Sequence, residues 1–202
     1  MDSRPPTFYY DLASPECYLA AERVSFLVPV AAVWEPVIGT WGTEGTEPDD
    51  RGIPTRASDL RLGPTPDRSA IERIARERGL QAVRWPVRWP PDSQLAMRAA
   101  AYAKSIGRAT AFSLAAFRQV FAAGRDLDDL DTIVIAAAAC EMHPAAVIRA
   151  VRLQSVRRGL EEAAALAVES GIRRLPALCV GGFVFEGDSG LDEATSTIVA
   201  RT

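Results

Sequence analysis

Among the residues able to do chemistry, Ser14 stands in the most suggestive setting. The stretch Phe8 to Ala21 reads FYYDLASPECYLAA. It opens on an aromatic, apolar run, Thr7 to Tyr10, expected as a buried strand and followed by Asp11. Leu12 and Ala13 make a short turn into Ser14 and Pro15, a capping residue followed by the residue most favoured at the first helical position. Beyond them Cys17, Ala20, Ala21, Val24, Leu27 and Val28 recur at helical spacing. Strand, tight turn and helix start place the Ser14 hydroxyl where backbone N–H groups and the helix dipole favour negative charge: a thiolate, a carboxylate or an oxyanion. The same residues also read as an ordinary N-cap.

The other reactive side chains are less well placed. Three cysteines, Cys17, Cys140 and Cys179, are odd in number and widely spaced, which is no disulfide framework. Cys17 falls on the apolar face of its helix, Cys140 in an apolar helix and Cys179 in a strand, so all three are expected as core thiols. Cys140-Glu141-Met142-His143 has a C-x-x-H spacing, but no second pair completes a tetrahedral set and no metal is expected. His143 precedes Pro144 and reads as a helix cap. The segment Arg84 to Pro91, RWPVRWPP, must be extended, because a residue before proline is pushed out of the helical region. Its tryptophans and arginines would either line a pocket for an anionic ligand or pack as a strap over the core.

These residues need elements to hold them. Val30 to Ile38 is expected as a second strand, making a right-handed parallel βαβ unit with the first. Gly39 to Thr65 is rich in Gly, Pro, Asp and Glu and reads as a mobile flap. Thr65 is expected to start a helix over Pro66 to Arg78, with Ile71, Ile74 and Ala75 inward and Gly79 as its stop. Asp92 to Gly171 reads as successive helices. These run from Ser93 to Ile106 (Leu95, Ala99, Tyr102 and Ile106 in register) and from Arg108 to Ala123 (Phe112, Phe117, Val120 and Phe121 inward). A third spans Leu130 to Glu141 and looks buried on most sides; the last two start at His143-Pro144 and at Gln154 or Ser155. Leu175 to Val180 is a strand opened by Pro176, and Gly181-Gly182 turns the chain into Phe183 to Glu186. Gly187 to Gly190 is expected as a polar turn before a last helix, Leu191 to Ala200.

The 202 residues, 48% of them hydrophobic, suffice for a full core. A net charge of −3 with acidic and basic residues interleaved gives no reason to expect nucleic acid. The opening MDSRPPTFYY lacks the apolar core of a secretory signal, and Pro29 interrupts the apolar run from Ser25 to Trp34. A reduced, cytoplasmic protein without membrane association is the expectation.

The element order, βαβ then a helical block then ββα, and three motifs resemble one family. The motifs are Y-Y-D-L-A-S-P-E-C-Y-L-A-A-E-R, R-W-P-V-R-W-P-P-D-S and L-P-A-L-C-V-G-G-F-V-F-E-G-D. They resemble the DsbA-like superfamily, and within it 2-hydroxychromene-2-carboxylate isomerases and kappa-class glutathione transferases. The resemblance implies an α/β, thioredoxin-like fold, with residues 1–63 and 171–202 forming a discontinuous domain and 64–170 a helical insertion. It further implies a thiol-dependent isomerase or transferase acting on an aromatic or conjugated small molecule, with glutathione or another low-molecular-weight thiol as cofactor. Ser14 would hydrogen-bond the thiol sulfur, lowering its pKa. Leu175-Pro176 would be a cis peptide whose flanking backbone pairs with the peptide part of the thiol. Asp188 and Ser189 fall where the family binds the glutamyl end; Ser189 replaces an acidic residue and Gly190 an arginine. Trp85, Arg88, Trp89 and Asp92 would shape the substrate site, with Asp92 where asparagine is usual. Relatives with this fold are commonly homodimers. A non-catalytic thioredoxin-fold binding module is the alternative, and a thiol–disulfide oxidoreductase is disfavoured by Ser14.

Overall fold

The computed structural model describes residues 5–27, 31–42 and 60–199. Strand β1 (Thr7–Tyr10) alternates outward and inward residues, and burial follows: Phe8 and Tyr10 are fully inaccessible. Helix α1 (Pro15–Leu27) returns the chain to β2 (Val33–Pro36), which pairs parallel to β1 with Thr7 opposite Val33. Helices α2 (Arg68–Glu77), α3 (Gln94–Ser105), α4 (Ala109–Phe121), α5 (Leu130–Ala138), α6 (Pro144–Ala150) and α7 (Gln154–Glu169) follow. The chain then re-enters the sheet as β3 (Ala177–Val180) and β4 (Phe183–Glu186), and α8 (Gly187–Val199) closes the order. The four strands lie in the order β2-β1-β3-β4, with β3 antiparallel to β1 and to β4.

Aromatic packing joins the sheet to the helical block. Tyr10 contacts Trp34 and Phe117, and its hydroxyl is hydrogen-bonded to Ser113 at 2.5 Å. Tyr18 of α1 stacks on Phe121 of α4 at 5.5 Å, and Phe121 meets Trp85 edge-on at 6.2 Å. The strap residue Trp85 therefore rests on the same core as β1 and α1.

Several local expectations are corrected. Helix α2 starts after Asp67, whose carboxylate accepts from Ser69 and Ala70 N–H; a carboxylate within reach of both outcompetes Thr65 as the cap. In α3 the buried face is Ala96, Met97, Ala99, Ala100 and Ala103, while Ile106 is exposed. Small alanines bring α3 close to α4 and α7, and this rotates the larger side chains outward. Helix α5 buries Ile133, Ala136 and Ala137 but leaves Ile135 exposed, because α4 and α6 cover only one side. Cys179 is half-buried rather than core. The flap expected over 39–65 falls mostly on residues 43–59, outside the described residues; its two ends are bridged to each other, Thr40 to Arg61 and Gly42 to Gly63.

The polar turn expected at Gly187 to Gly190 is instead the first turn of α8. The Gly187 N–H donates to the Pro176 carbonyl at 2.7 Å, so the helix starts directly off β4 against the β3 entry. Gly190 is needed there. A Cβ on it would lie 2.9 Å from the Phe185 carbonyl carbon, a backbone atom with no room to retreat.

Candidate active site at the start of the first helix

Asp11 organises the site. It is fully buried at the end of β1, and its carboxylate accepts from Ala13 N–H and from Gly39 N–H, both at 2.9 Å, and from the Ser93 side chain. Burial pushes its pKa up to about 6, against the pull of those three hydrogen bonds and with help from nearby Asp92. Three segments thus meet on one carboxylate: the Ser14 turn, the chain leaving β2, and the end of the strap that enters α3. Gly39 makes this meeting possible. A Cβ there would sit 2.7 Å from Leu62 and 3.3 Å from Leu175.

Ser14 itself is fully buried. Its N–H donates to the Asp11 carbonyl at 3.2 Å and its carbonyl accepts from Tyr18, so the turn is held by backbone. The hydroxyl accepts from the Cys17 N–H at 3.1 Å, a proper cap, and donates to the Glu16 carboxylate at 3.1 Å. Glu16 is half-buried, and burial raises its pKa against the pull of the Ser14 hydroxyl and the Arg174 charge. Cys17 is buried, and burial drives its thiol far above the ordinary range, the first cause, with the Asp11 and Glu16 charges adding to it. Burial therefore disfavours its thiolate form at neutral pH.

The Leu175–Pro176 peptide is cis, as the resemblance implied, and it lies just beyond the Tyr9–Ala177 pair at the same end of the sheet as Ser14. One backbone group at this peptide is already engaged: the Leu175 N–H donates to the Arg61 carbonyl at 2.8 Å. The segment Leu60–Gly63 lies along this edge with Leu60 and Leu62 buried, so the donor is committed to the fold. Beside it a cleft of about 410 Å³ opens, lined by Arg61, Arg173, Arg174 and Glu186. Glu186 accepts from the Arg173 and Arg174 N–H groups. The Arg174 guanidinium lies against Gly187 and acts on Glu16, which links the cleft to the Ser14 turn.

Asp188 does not face this cleft unengaged. It is ion-paired with Arg78 through both oxygens and with Arg23 at 3.4 Å, and Arg78 also reaches the Leu19 carbonyl. Leu19 and Arg23 lie five and nine residues past Ser14, roughly 7 to 14 Å along α1 at the helical rise. Ser189 is exposed.

The strap residues divide. Arg88 is exposed and tied to Asp126 and Asp128, so it is not an open cation for a ligand. Asp92 is exposed and accepts from the Gln94 N–H at the start of α3. Trp85 and Trp89 meet edge-on at 5.2 Å, and Trp85 donates to Glu72 at 2.7 Å. Two residues the sequence did not single out complete this cluster. Trp41 packs on Trp89 at 5.5 Å, and the Arg68 guanidinium lies over the Trp85 and Trp89 rings at 4.8 and 5.4 Å. Among the described residues the buried Trp41 Nε1–H has no acceptor, and Arg68 has no carboxylate partner. No periodicity marks either position. The cluster adjoins the Ser14 turn through Asp11, which holds Gly39 two residues before Trp41 and Ser93 four residues after Trp89.

A separate cavity of about 580 Å³ lies between β2, α3 and α7, lined by Pro36, Tyr102, Val156 and Leu160 among others, away from Ser14. No metal cluster occurs among the described residues, and no helix among them is long and apolar enough to cross a membrane.

A four-stranded β2-β1-β3-β4 sheet, a helix starting on the first strand's turn and a cis-proline at the same end of the sheet define a thioredoxin-like fold, here carrying six helices between its halves. The chain belongs to the DSBA-like thioredoxin domain family, which matches residues 7–199. In structure it is similar to 2-hydroxychromene-2-carboxylate isomerase, with a TM-score of 0.77 at 15% identity over 98% of this chain and 95% of that one. It is also similar to a probable DsbA oxidoreductase from Streptomyces coelicolor (TM-score 0.71, 17% identity, 97% and 88% covered). A third relative is the cytosolic disulfide reductase DsbM from Pseudomonas aeruginosa, solved with GSH (TM-score 0.63, 15% identity, 98% of each chain). No curated protein matches in sequence. At these identities the solved structures speak for the fold.

Proposed function

We propose that this protein is a thiol-dependent enzyme, an isomerase or transferase acting on an aromatic or conjugated small molecule with glutathione or a related thiol. The observation that supports the reading is that the Ser14 hydroxyl, at the start of α1, and the cis Leu175–Pro176 peptide lie at the same end of the sheet, with a basic cleft lined by Arg61 and Arg174 next to the latter. A serine in this place supports sulfur activation without dithiol cycling, and Cys17, buried and hard to ionise, is no redox partner. The carboxylates of a peptide thiol would be held by the arginines of the cleft rather than by the Leu175 N–H. The aromatic acceptor would lie on Trp41, Trp85 and Trp89, its oxygen atoms toward Arg68 and the Trp41 N–H. The sulfur would add to the acceptor's conjugated system, permit rotation about the former double bond, and leave again, so no net redox change occurs.

One observation favours a second reading. Ser14 is fully buried and its hydroxyl is doubly engaged, which suits a binding module that kept the fold and lost the chemistry. Thermal unfolding with glutathione, and separately with mycothiol, separates the two, because a ligand that binds only the folded state raises the melting temperature. The enzyme reading expects a shift with one of them, and turnover of a conjugated aromatic that falls about a hundredfold in Ser14→Ala while the fold persists. Absence of binding by both thiols would leave the binding module.

A further inference from the structure

We propose that Glu16 is a specificity-determining residue of the thiol site, competing with the ligand's sulfur for the Ser14 hydroxyl. This rests on the thiol-dependent reading above. The argument is one of counting. A serine hydroxyl has a single proton and two lone pairs. Here one lone pair accepts from the Cys17 N–H, and the proton is given to Glu16 Oε2. A thiolate can only accept. It needs that same proton, and it cannot have it while Glu16 holds it.

The position of Glu16 sharpens the conflict. It lies in the first turn of α1, where the helix start favours one negative charge, and the chain has filled that place with its own carboxylate. The cation whose charge acts on it, Arg174, comes from the segment leading into the cis-proline and also lines the basic cleft. The groups that act on Glu16 are therefore the Ser14 hydroxyl from the preceding turn and Arg174 from the β3 entry, while its own charge acts on Cys17 within α1. A sulfur anion arriving from the cleft meets a like charge within hydrogen-bond distance of its only side-chain donor, and Asp11 adds a second carboxylate behind the turn. Binding therefore displaces the Glu16 side chain from Ser14. The residue sets a threshold that selects thiols with enough other anchoring, such as carboxylates for Arg61 and Arg174, and rejects small thiols that have none.

The test uses the full-length protein and glutathione, with 2-mercaptoethanol as the small-thiol comparison. Affinity is read by calorimetry, and the ionisation of bound glutathione by the pH dependence of its alkylation with iodoacetamide. Glu16→Ala, which removes both the acceptor and the charge, is expected to bind glutathione about tenfold more tightly; Glu16→Gln, which keeps an acceptor, gains less, and both are expected to lower the bound thiol's pKa by about one unit, as removal of one close like charge should. Glu16→Ala should also gain measurable binding of 2-mercaptoethanol. Wild-type binding matched by both variants, or weaker binding in both with an unchanged thiol pKa, would overturn the role of Glu16 and leave the thiol-dependent reading standing. If neither wild type nor either variant binds glutathione, the thiol-dependent reading falls, and the competition with it.

Discussion

The two halves of the candidate site are built on opposite principles. Around Ser14, every strong polar group is spoken for by the chain itself: Asp11 takes three donors, the Ser14 proton goes to Glu16, and the Leu175 N–H goes to Arg61. Around Trp89, donors are left over among the described residues: there the Arg68 guanidinium lies on two indoles without a carboxylate, and the buried Trp41 N–H has no acceptor. A buried N–H without a partner costs roughly 1–3 kcal/mol, so the aromatic half gains from a ligand that supplies an acceptor. The Ser14 half must give something up. On the function proposed above, the contrast predicts that recognition rests more heavily on the aromatic side and that the Ser14 side controls whether a bound molecule reacts.

The largest effect should come from Asp11. Its folded-state pKa of about 6 stands above its ordinary 3.8, so the folded protein holds that proton more tightly. The stability it contributes is complete below about pH 4 and lost as pH rises through 6, a difference of about 3 kcal/mol for a fully buried group. Urea unfolding of wild type and Asp11→Asn between pH 4 and pH 7 should show a wild-type loss of stability that is clearly smaller in the variant, where Glu16 still contributes; parallel curves would dissolve the picture of a single buried hub. Next comes the seat of α8 beside the cis-proline. Gly190→Ala should cost about 2 kcal/mol in the same assay, because the new methyl meets Phe185 backbone. On the aromatic side, Arg68→Gln should weaken an anionic aromatic acceptor about tenfold, the low end for a hydrogen bond to a charged group, with little change in melting temperature. The smallest effect sharpens the contrast: Arg88→Gln, on an exposed side chain already paired with Asp128, should change stability by no more than about 0.5 kcal/mol and leave acceptor affinity alone. Equal losses from Arg68 and Arg88 substitutions would show that the strap as a whole, rather than its inner face, binds the acceptor.

Much of the frame was legible in the sequence because it is written locally. An aromatic run before Ser14-Pro15 and a hydrophobic period after it are enough for β1 and α1, and Phe112, Phe117, Val120 and Phe121 fix the buried face of α4. His143 as the cap of α6 followed from its place before Pro144, and its Nδ1 accepts from the Ala145 N–H. The site was less legible, because its decisive contacts join residues far apart in the chain. Arg88 and Arg68 are indistinguishable by type, yet Asp126 and Asp128 hold one outward while Trp85 and Trp89 hold the other flat. Asp188 resembled a ligand carboxylate until Arg78 and Arg23 were seen to occupy it. The meaning of Gly190 lay in a backbone approach that no pattern of side chains records.

The turn that carries Ser14 is shaped largely by Asp11 and by main-chain hydrogen bonds, with the serine side chain adding the bond from the Cys17 N–H and the one to Glu16. The scaffold is therefore largely indifferent to which element sits at that atom. Exchanging oxygen for sulfur, Ser14→Cys, would set two sulfurs three residues apart on a ready-made bend. The second of them, at Cys17, would still lie fully buried under the turn, so the bend alone would not expose a dithiol to a partner.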